Sequence, residues 1–183
     1  MSHWKVLDSE VLFKTPFMKL RADRCELPDQ RIMPKYYVVD FPDWVQTAAI
    51  TTDNKLVMVK QYRHAAGEFF LELPGGSVEP GAEESIQVAA LRELEEETGY
   101  TSENVEYLGH FYPNPALQSN KNHIFLAHSC KKSSELNLDP FEDLEVELWD
   151  IDLVFKALEK GEIKHSLMAA GLNLVRAKLD LIR

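Results

Sequence analysis

Glu93, Glu96 and Glu97 stand at i, i+3 and i+4 in a run of good helix formers, a spacing that puts three carboxylates on one helix face. At about 100° per residue, with Glu93 at zero, Glu96 falls near about −60° and Glu97 near about +40°. Ile86, Ala89 and Ala90 occupy the same stripe one to two turns earlier, so the acidic face continues an apolar one and points inward. Glu95 falls near about 200°, toward solvent. The expected helix runs from Glu83 to Thr98, with Gly99 as its C-terminal cap. Six glutamates and one arginine, Arg92, lie between residues 83 and 97. The ordinary fate of a glutamate run is a solvated face, but the helix dipole argues against it here. Carboxylates near a helix C-terminus cost about 0.3–1 kcal/mol each, before their mutual repulsion. A cation is needed to balance them. An all-oxygen ligand set on one face suits a hard divalent ion, Mg²⁺ or Mn²⁺, that shares its coordination with substrate phosphates.

Other chemistries are excluded by spacing. There is no D-x-[DN]-x-[DN]-G calcium loop, "PGGSVEPG" is not followed by Gly-Lys-Ser/Thr, and the six histidines form no HExxH pattern, which leaves them structural or on the surface. The two cysteines, Cys25 and Cys130, have no CxxC partner, and Cys25 reads as a buried structural thiol. A formal net charge of −10 argues against phosphate-dominated binding of nucleic acid. No apolar run reaches the roughly 18 residues of a membrane helix, and "MSHWKVLDSEVLFK" lacks the pattern of a secretory leader. A soluble cytoplasmic protein with no membrane partner is expected.

The elements that must position the glutamates follow from periodicity. "EVLFKTPFMKLRADRCEL", broken at Pro16, and "KYYVVDF" predict an N-terminal antiparallel β region over residues 1–42. "VQTAAIT" and "KLVMVKQYR", joined at Asp53-Asn54, predict a hairpin, and "FFLEL" a short strand ending at Pro74-Gly75-Gly76. Beyond the acidic helix, "VEYLGHFYP", "NHIFLAHS" and "LEVELWDI" read as strands, and Asp152–Lys160 and His165–Leu181 as helices separated by Gly161. Strands interrupted by a few helices give an α+β domain over residues 43–183, with a mixed or antiparallel sheet.

Arg92-Glu93-Leu94-Glu95-Glu96-Glu97-Thr98-Gly99-Tyr100 resembles the Nudix box, R-E-U-x-E-E-x-G-U, with Glu84 eight residues before Arg92 as the pattern G-x5-E-x7-R-E-U-x-E-E-x-G-U requires. Val78 fills the pattern's glycine slot, and Gly76 lies two residues further upstream, as a two-residue insertion in "EPGAE" would produce. "VKQYRHAAGEFFLELPGG", "NPALQSNKNHIFLA" with Pro115, and "FEDLEV" extend the resemblance over about residues 45–160, toward the ADP-ribose and nucleoside-diphosphate-sugar pyrophosphatases of that superfamily. The resemblance implies an α/β/α sandwich with a mixed sheet, and an N-terminal β region that helps form a homodimer.

It further implies that Glu93, Glu96 and Glu97 hold the metal, with the Gly75 carbonyl as an added ligand, while Glu84, Arg92 and Gly76 shape the motif. Arg63 would contact the diphosphate or distal sugar, as a planar fork suits phosphate oxygens. Glu72 would hydrogen-bond a sugar or base, and Trp44 would stack on a nucleobase or pack in a dimer interface. The general base would come from "DPFEDLEVE", which supplies Glu142, Asp143 and Glu145: Glu142 is favoured and Glu145 is the reserve. The expected reaction is Mg²⁺-dependent hydrolysis of a nucleoside diphosphate-sugar, ADP-ribose or an NDP-hexose such as GDP-mannose, to a nucleoside monophosphate and a sugar phosphate. "LPGG" in place of Leu-Pro-Ala-Gly weakens the preference for ADP-ribose. A silent nucleotide-sugar sensor and a Nudix enzyme acting on nucleoside triphosphates are the alternatives; the intact glutamate set argues against the first, and Pro115 with the missing basic patch against the second.

Overall fold

The computed structural model describes residues 2–79 and 84–182. Its contacts divide the chain into two compact units, Met1–Asp43 with Tyr112–Lys121, and Trp44–Phe111 with Asn122–Arg183.

The first unit is a three-stranded antiparallel sheet of β1 (Lys5–Lys14), β2 (Lys19–Glu26) and β3 (Ile32–Asp40), in that order. β1 and β2 are separated at Thr15–Met18, where the Thr15 hydroxyl accepts from the Phe17 and Met18 amides, each at 3.1 Å. "LPDQR" closes the next turn, with the Leu27 amide donating to the Arg31 carbonyl and Gln30 at φ 69°. Tyr112–Lys121, which reads in sequence as a plain connection, packs within this unit: the Val39 amide donates to Leu117 at 2.8 Å and the Tyr36 hydroxyl to Ala116 at 2.8 Å.

The second unit carries a mixed sheet. β4 (Trp44–Thr51) pairs antiparallel with β5 (Lys55–Arg63) and parallel with β9 (Asn122–Lys132). β5 also pairs with β6 (Glu68–Glu72) and β10 (Leu144–Asp150), and β9 with β7 (Tyr100–Thr101) and β8 (Asn104–Phe111), all antiparallel. The β4–β5 turn is one residue longer than a two-residue hairpin: Asn54 takes φ 65° and the Thr51 hydroxyl accepts from the Lys55 amide at 2.9 Å.

Both faces of the central strands are buried, as expected for a sheet between helical layers. Val45, Ala49, Phe125 and Ala127 face α1 (Ile86–Thr98), which meets them with Ala89, Ala90 and Leu94. Ala48, Ile50, Ile124 and Leu126 face α2 (Ile151–Glu159) and α3 (Ser166–Ile182) through Val154, Leu167, Met168 and Leu172. This is an α/β/α sandwich.

α1 begins at Ile86 instead of Glu83. Ser85 holds ψ 153° and its hydroxyl accepts from the Val88 amide at 3.2 Å, so it caps the helix, and Glu84 lies outside. Gly99 ends it as expected, at φ 73°, with its amide on the Glu95 carbonyl at 2.7 Å. Glu83 and most of the "EPGAE" insertion lie outside the described residues. α2 and α3 start one residue away from the expected positions, α2 earlier and α3 later, and β7 is a short strand that sequence does not announce.

Candidate active site

α1 presents its acidic face to the Pro74–Ser77 turn. The Pro74 and Gly76 carbonyls accept from the Thr47 and Val45 amides, each at 2.9 Å, which binds the turn to β4. Alternation along an extended chain then directs the Gly75 amide and carbonyl away from β4. The Gly75 amide donates to Glu97 Oε2 at 2.8 Å. A Cβ on Gly75 would stand 2.0 Å from the Val45 carbonyl oxygen, and one on Gly76 would stand 2.5 Å from the Glu93 carboxylate. Two glycines are therefore needed for different reasons: the first lets two backbones meet, and the second leaves room for the Glu93 side chain.

Glu97 is only 4% exposed. Burial pushes its carboxyl up to about 8, with the charges of Glu93 and Glu142 adding to the rise and the Gly75 amide and Arg63 opposing it. Glu93 is also raised, by burial first and by Glu96 and Glu142, against the pull of Arg92. Arg92 reaches more of the cluster than its single charge suggests. Its Nη1 lies 3.0 Å from Glu93 Oε1 and 2.9 Å from Glu96 Oε2, its Nε 3.1 Å from Glu84 Oε1, and its Nη2 donates to the Ser77 carbonyl at 3.2 Å. The guanidinium thus ties turn to helix. Burial lowers its proton affinity, and the Glu84 hydrogen bond and neighbouring glutamates raise it by more.

One arginine among Glu84, Glu93, Glu96 and Glu97 leaves the site strongly negative. Among the described residues no three His, Cys, Asp or Glu side chains converge as a closed metal cage, since Glu93 and Glu96 turn to Arg92 and Glu97 to Gly75. The donor set nevertheless fits a hard divalent cation: oxygen ligands only, on one face, with the Glu93 and Glu97 carboxyls held above their ordinary range by burial first and by neighbouring negative charge second.

On the other side of the glycine turn is a pocket of about 470 Å³, lined by Trp44, Gln46, Arg63, Phe70, Glu72 and His165 among others, together with Gly75, Gly76 and Ser77. That volume suits a nucleoside or a sugar. Glu72 is 1% exposed and takes the Arg63 fork, Nε at 3.2 Å from both oxygens and Nη2 at 2.5 Å. His165 Nδ1 stands 3.1 Å from Glu72 Oε1 but off the axis of a directed hydrogen bond. Burial would raise the Glu72 carboxyl; the contacts with His165 and Arg63 outweigh it and hold the group below its ordinary value. Arg63 also feels the charges of Glu97 and Glu142, which places it within electrostatic range of the acidic helix. Trp44 is half-buried, and its backbone bridges to Ser77.

Glu142 and its neighbours divide by environment. Glu142 is half-buried, closes its own turn by accepting from the Asp139 amide at 3.0 Å, and interacts electrostatically with Glu93, Glu97 and Arg63. Glu145 is exposed and faces Lys60 at 3.8 Å, and Asp143 is exposed. Glu95 is exposed as expected. Sequence reading missed His165, Gln46, Phe70 and Asn122 as pocket residues, because no motif joins a strand start, a hairpin and a helix cap. Cys25 and Cys130 are both buried free thiols, and burial pushes Cys130 up to about 11.

Known proteins resemble this chain in sequence and in fold. The NUDIX domain family matches residues 43–170, and the family described as nucleoside diphosphate sugar hydrolase N-terminal domain matches residues 4–39. The chain is 33% identical over 178 residues to an "ADP-ribose pyrophosphatase" of Bacillus subtilis, covering 95% of this chain and 93% of that one. It is 39% identical over 143 residues to a "Methanol dehydrogenase activator" of Bacillus methanolicus, covering 76% of each. A crystal structure of an "ADP compounds hydrolase" superposes with a TM-score of 0.84 at 23% identity over 98% of this chain and 96% of the other, a likeness of fold. With the acidic helix, the glycine turn and the arginine that ties them together in place, the chain belongs to the Nudix family.

Proposed function

We propose that this chain is a divalent-cation-dependent pyrophosphohydrolase, with Mg²⁺ as its ion, that splits ADP-ribose or a related nucleoside diphosphate-sugar into a nucleoside monophosphate and a sugar phosphate. It is a hydrolase of phosphoanhydride bonds, and its relatives' names, ADP-ribose pyrophosphatase and ADP-sugar pyrophosphatase among them, support an ADP-sugar substrate. The observation that carries the reading is Glu97, a nearly enclosed carboxylate whose proton affinity is raised to about 8 beside a second raised glutamate and a pocket of nucleoside size.

Glu93, Glu96 and Glu97, with the Gly75 carbonyl, would hold the ion. When bound, it screens the phosphate oxygens and lowers the pKa of coordinated water. The protein's own groups do the rest. The Gly75 amide fixes Glu97, and Gly76 leaves space for the Glu93 carboxylate. Arg63, held by Glu72, offers its fork to the diphosphate oxygens. The Glu142 carboxylate takes the proton of the water that attacks phosphorus, as the bond from that phosphorus to the bridging oxygen breaks. Trp44 and Phe70 supply aromatic walls for the base or sugar.

Residues 1–42 form the dimerisation region of a cytoplasmic homodimer in this reading. Phe13 at 52% and Phe17 at 80% exposure, with Trp4 at 46%, support an apolar surface there that a second copy would cover. No described helix is long and apolar enough to cross a membrane. Formation of nucleoside monophosphate and sugar phosphate with Mg²⁺, read as phosphate freed by an added phosphatase that leaves the substrate intact, over ADP-ribose, GDP-mannose and ADP-glucose, with chromatographic product analysis for dinucleoside polyphosphates and nucleoside triphosphates, tests the function. ADP-ribose or an NDP-hexose should turn over fastest, and failure to hydrolyse any member would end the proposal.

A further inference from the structure

The pocket wall contains a polar atom that the chain itself leaves unsatisfied. Asn122, the first residue of β9, is 0% exposed; its Nδ2 donates to Gln46 Oε1 at 3.1 Å, while its Oδ1 has no hydrogen-bond partner. Strand geometry explains how it came there. In the parallel β4–β9 pair Trp44 is matched with Asn122 and Gln46 with Ile124, so side chains of period two put Trp44, Gln46 and Asn122 on one face, toward α3. All three line the pocket.

An enclosed side-chain carbonyl without a donor is uncommon and is destabilising to the free protein. A hydrophobic residue would pack this strand position at no such cost. Gln46 pins the amide by holding its Nδ2, which leaves the acceptor end as the part that needs a ligand. Gly75 and Gly76 border the same pocket and also touch Glu97 and Glu93. A diphosphate at the carboxylates therefore sends one end of its molecule toward Asn122.

We infer that Asn122 is a specificity-determining residue whose side-chain carbonyl accepts a hydrogen bond from an N–H or O–H donor on the substrate half seated in this pocket. The inference rests on the reading of the chain as a nucleoside diphosphate-sugar hydrolase. Either an exocyclic amine on the base or a hydroxyl on the sugar supplies the shared chemistry. A site built around a buried acceptor rejects an analogue that lacks the donor far more strongly than an apolar wall rejects a missing methylene.

The test measures kcat/KM for wild type, Asn122→Val and Asn122→Thr. The substrates are ADP-ribose, an analogue with the base amine replaced by a carbonyl, and analogues with one sugar hydroxyl replaced by hydrogen. Val and Thr share a shape, but only the threonine hydroxyl can both donate to Gln46 and accept from substrate. Wild type should lose roughly 10-fold or more on one of the deletions. Asn122→Val should treat that pair alike, and Asn122→Thr should restore most of the discrimination. A loss tied to the base amine identifies a base in the pocket, and one tied to a hydroxyl identifies the sugar. Wild-type indifference to every deletion overturns the inference whether or not the variants fold, as does an unchanged ratio in a folded Asn122→Val. If another nucleoside diphosphate-sugar of the panel is the better substrate, it and its donor deletions replace ADP-ribose; failure of wild type on the whole panel removes the functional reading and the inference with it, whereas hydrolysis without donor discrimination removes the inference alone.

Discussion

Replacing Glu97 by Gln should stabilise the metal-free protein at pH 8 while abolishing turnover. The magnitude follows from the carboxyl's environment. Its proton affinity rises from 4.5 to about 8 on folding, because a group 4% exposed cannot be solvated when charged and faces Glu93 and Glu142. At about 1.36 kcal/mol per pH unit, that rise corresponds to about 5 kcal/mol of stability. The sign is set by which state holds the proton. Below about pH 4.5 the group is protonated folded or unfolded, and its full contribution is present. As pH climbs toward 8 the unfolded chain ionises first, so the contribution is lost until the folded carboxyl also ionises.

Gln keeps an oxygen for the Gly75 amide and never ionises, so Glu97→Gln escapes the loss. Thermal melts in chelator should show wild type and Glu97→Gln nearly together at pH 4.5 and drawing apart toward pH 8. At about 2–4 °C per kcal/mol for a chain of this size, the variant should end on the order of 10 °C higher. Excess divalent ion should close roughly half of that gap, since an ion at a hundred times its dissociation constant stabilises wild type by about 2.7 kcal/mol and needs the ionised carboxylate. A gap that stays constant from pH 4.5 to 8 in chelator would refute the argument from burial. A divalent ion that stabilises the Gln variant as much as wild type would remove Glu97 from the ligand set.

The two glycines should separate cleanly on substitution. Gly75→Ala drives a Cβ into the Val45 carbonyl at 2.0 Å and should cost the fold about 1–3 kcal/mol or more, whereas Gly76→Ala meets only the end of the Glu93 side chain and should keep its melting point but bind divalent ion more weakly by calorimetry. Glu72→Gln should lower stability by about 1–3 kcal/mol near neutrality by weakening the Arg63 and His165 contacts. Because the Glu72 carboxyl is held below 4.5, its stabilisation is present above that value and lost as pH falls, so the gap between the two melts should close in acid. Glu142→Gln should lower kcat far more than ion affinity; equal losses in both would move Glu142 into the ligand set.

The helix and its acidic face were legible in the sequence because each depends on spacing within a few turns. A period of 3.6 puts Glu93, Glu96 and Glu97 together, and Gly99 is readable as a cap because a left-handed residue there favours glycine. The helix start was less legible: Glu83 and Glu84 are good helix formers, and only the Ser85 side chain on the Val88 amide decides that the helix begins after them. Strand positions were readable from alternation, but the parallel β4–β9 pairing was not, since register joins residues some 78 positions apart, as Trp44 with Asn122.

By itself, then, the sequence determined the type of chemistry: a helix with three carboxylates on one face, a glycine turn before it, and too little positive charge nearby. Tertiary structure decided everything that depends on distant segments meeting. It turned Arg92 onto Glu84, Glu93, Glu96 and the Ser77 carbonyl at once, and it buried Glu97 deeply enough to hold its proton to about pH 8. It also brought Gln46, Arg63 and Asn122 from three strands, and His165 from just before α3, around one pocket. The physical reason is that local periodicity fixes which way a side chain leaves its own element, whereas burial, charge coupling and the partner of each polar atom are set by which other elements close over it.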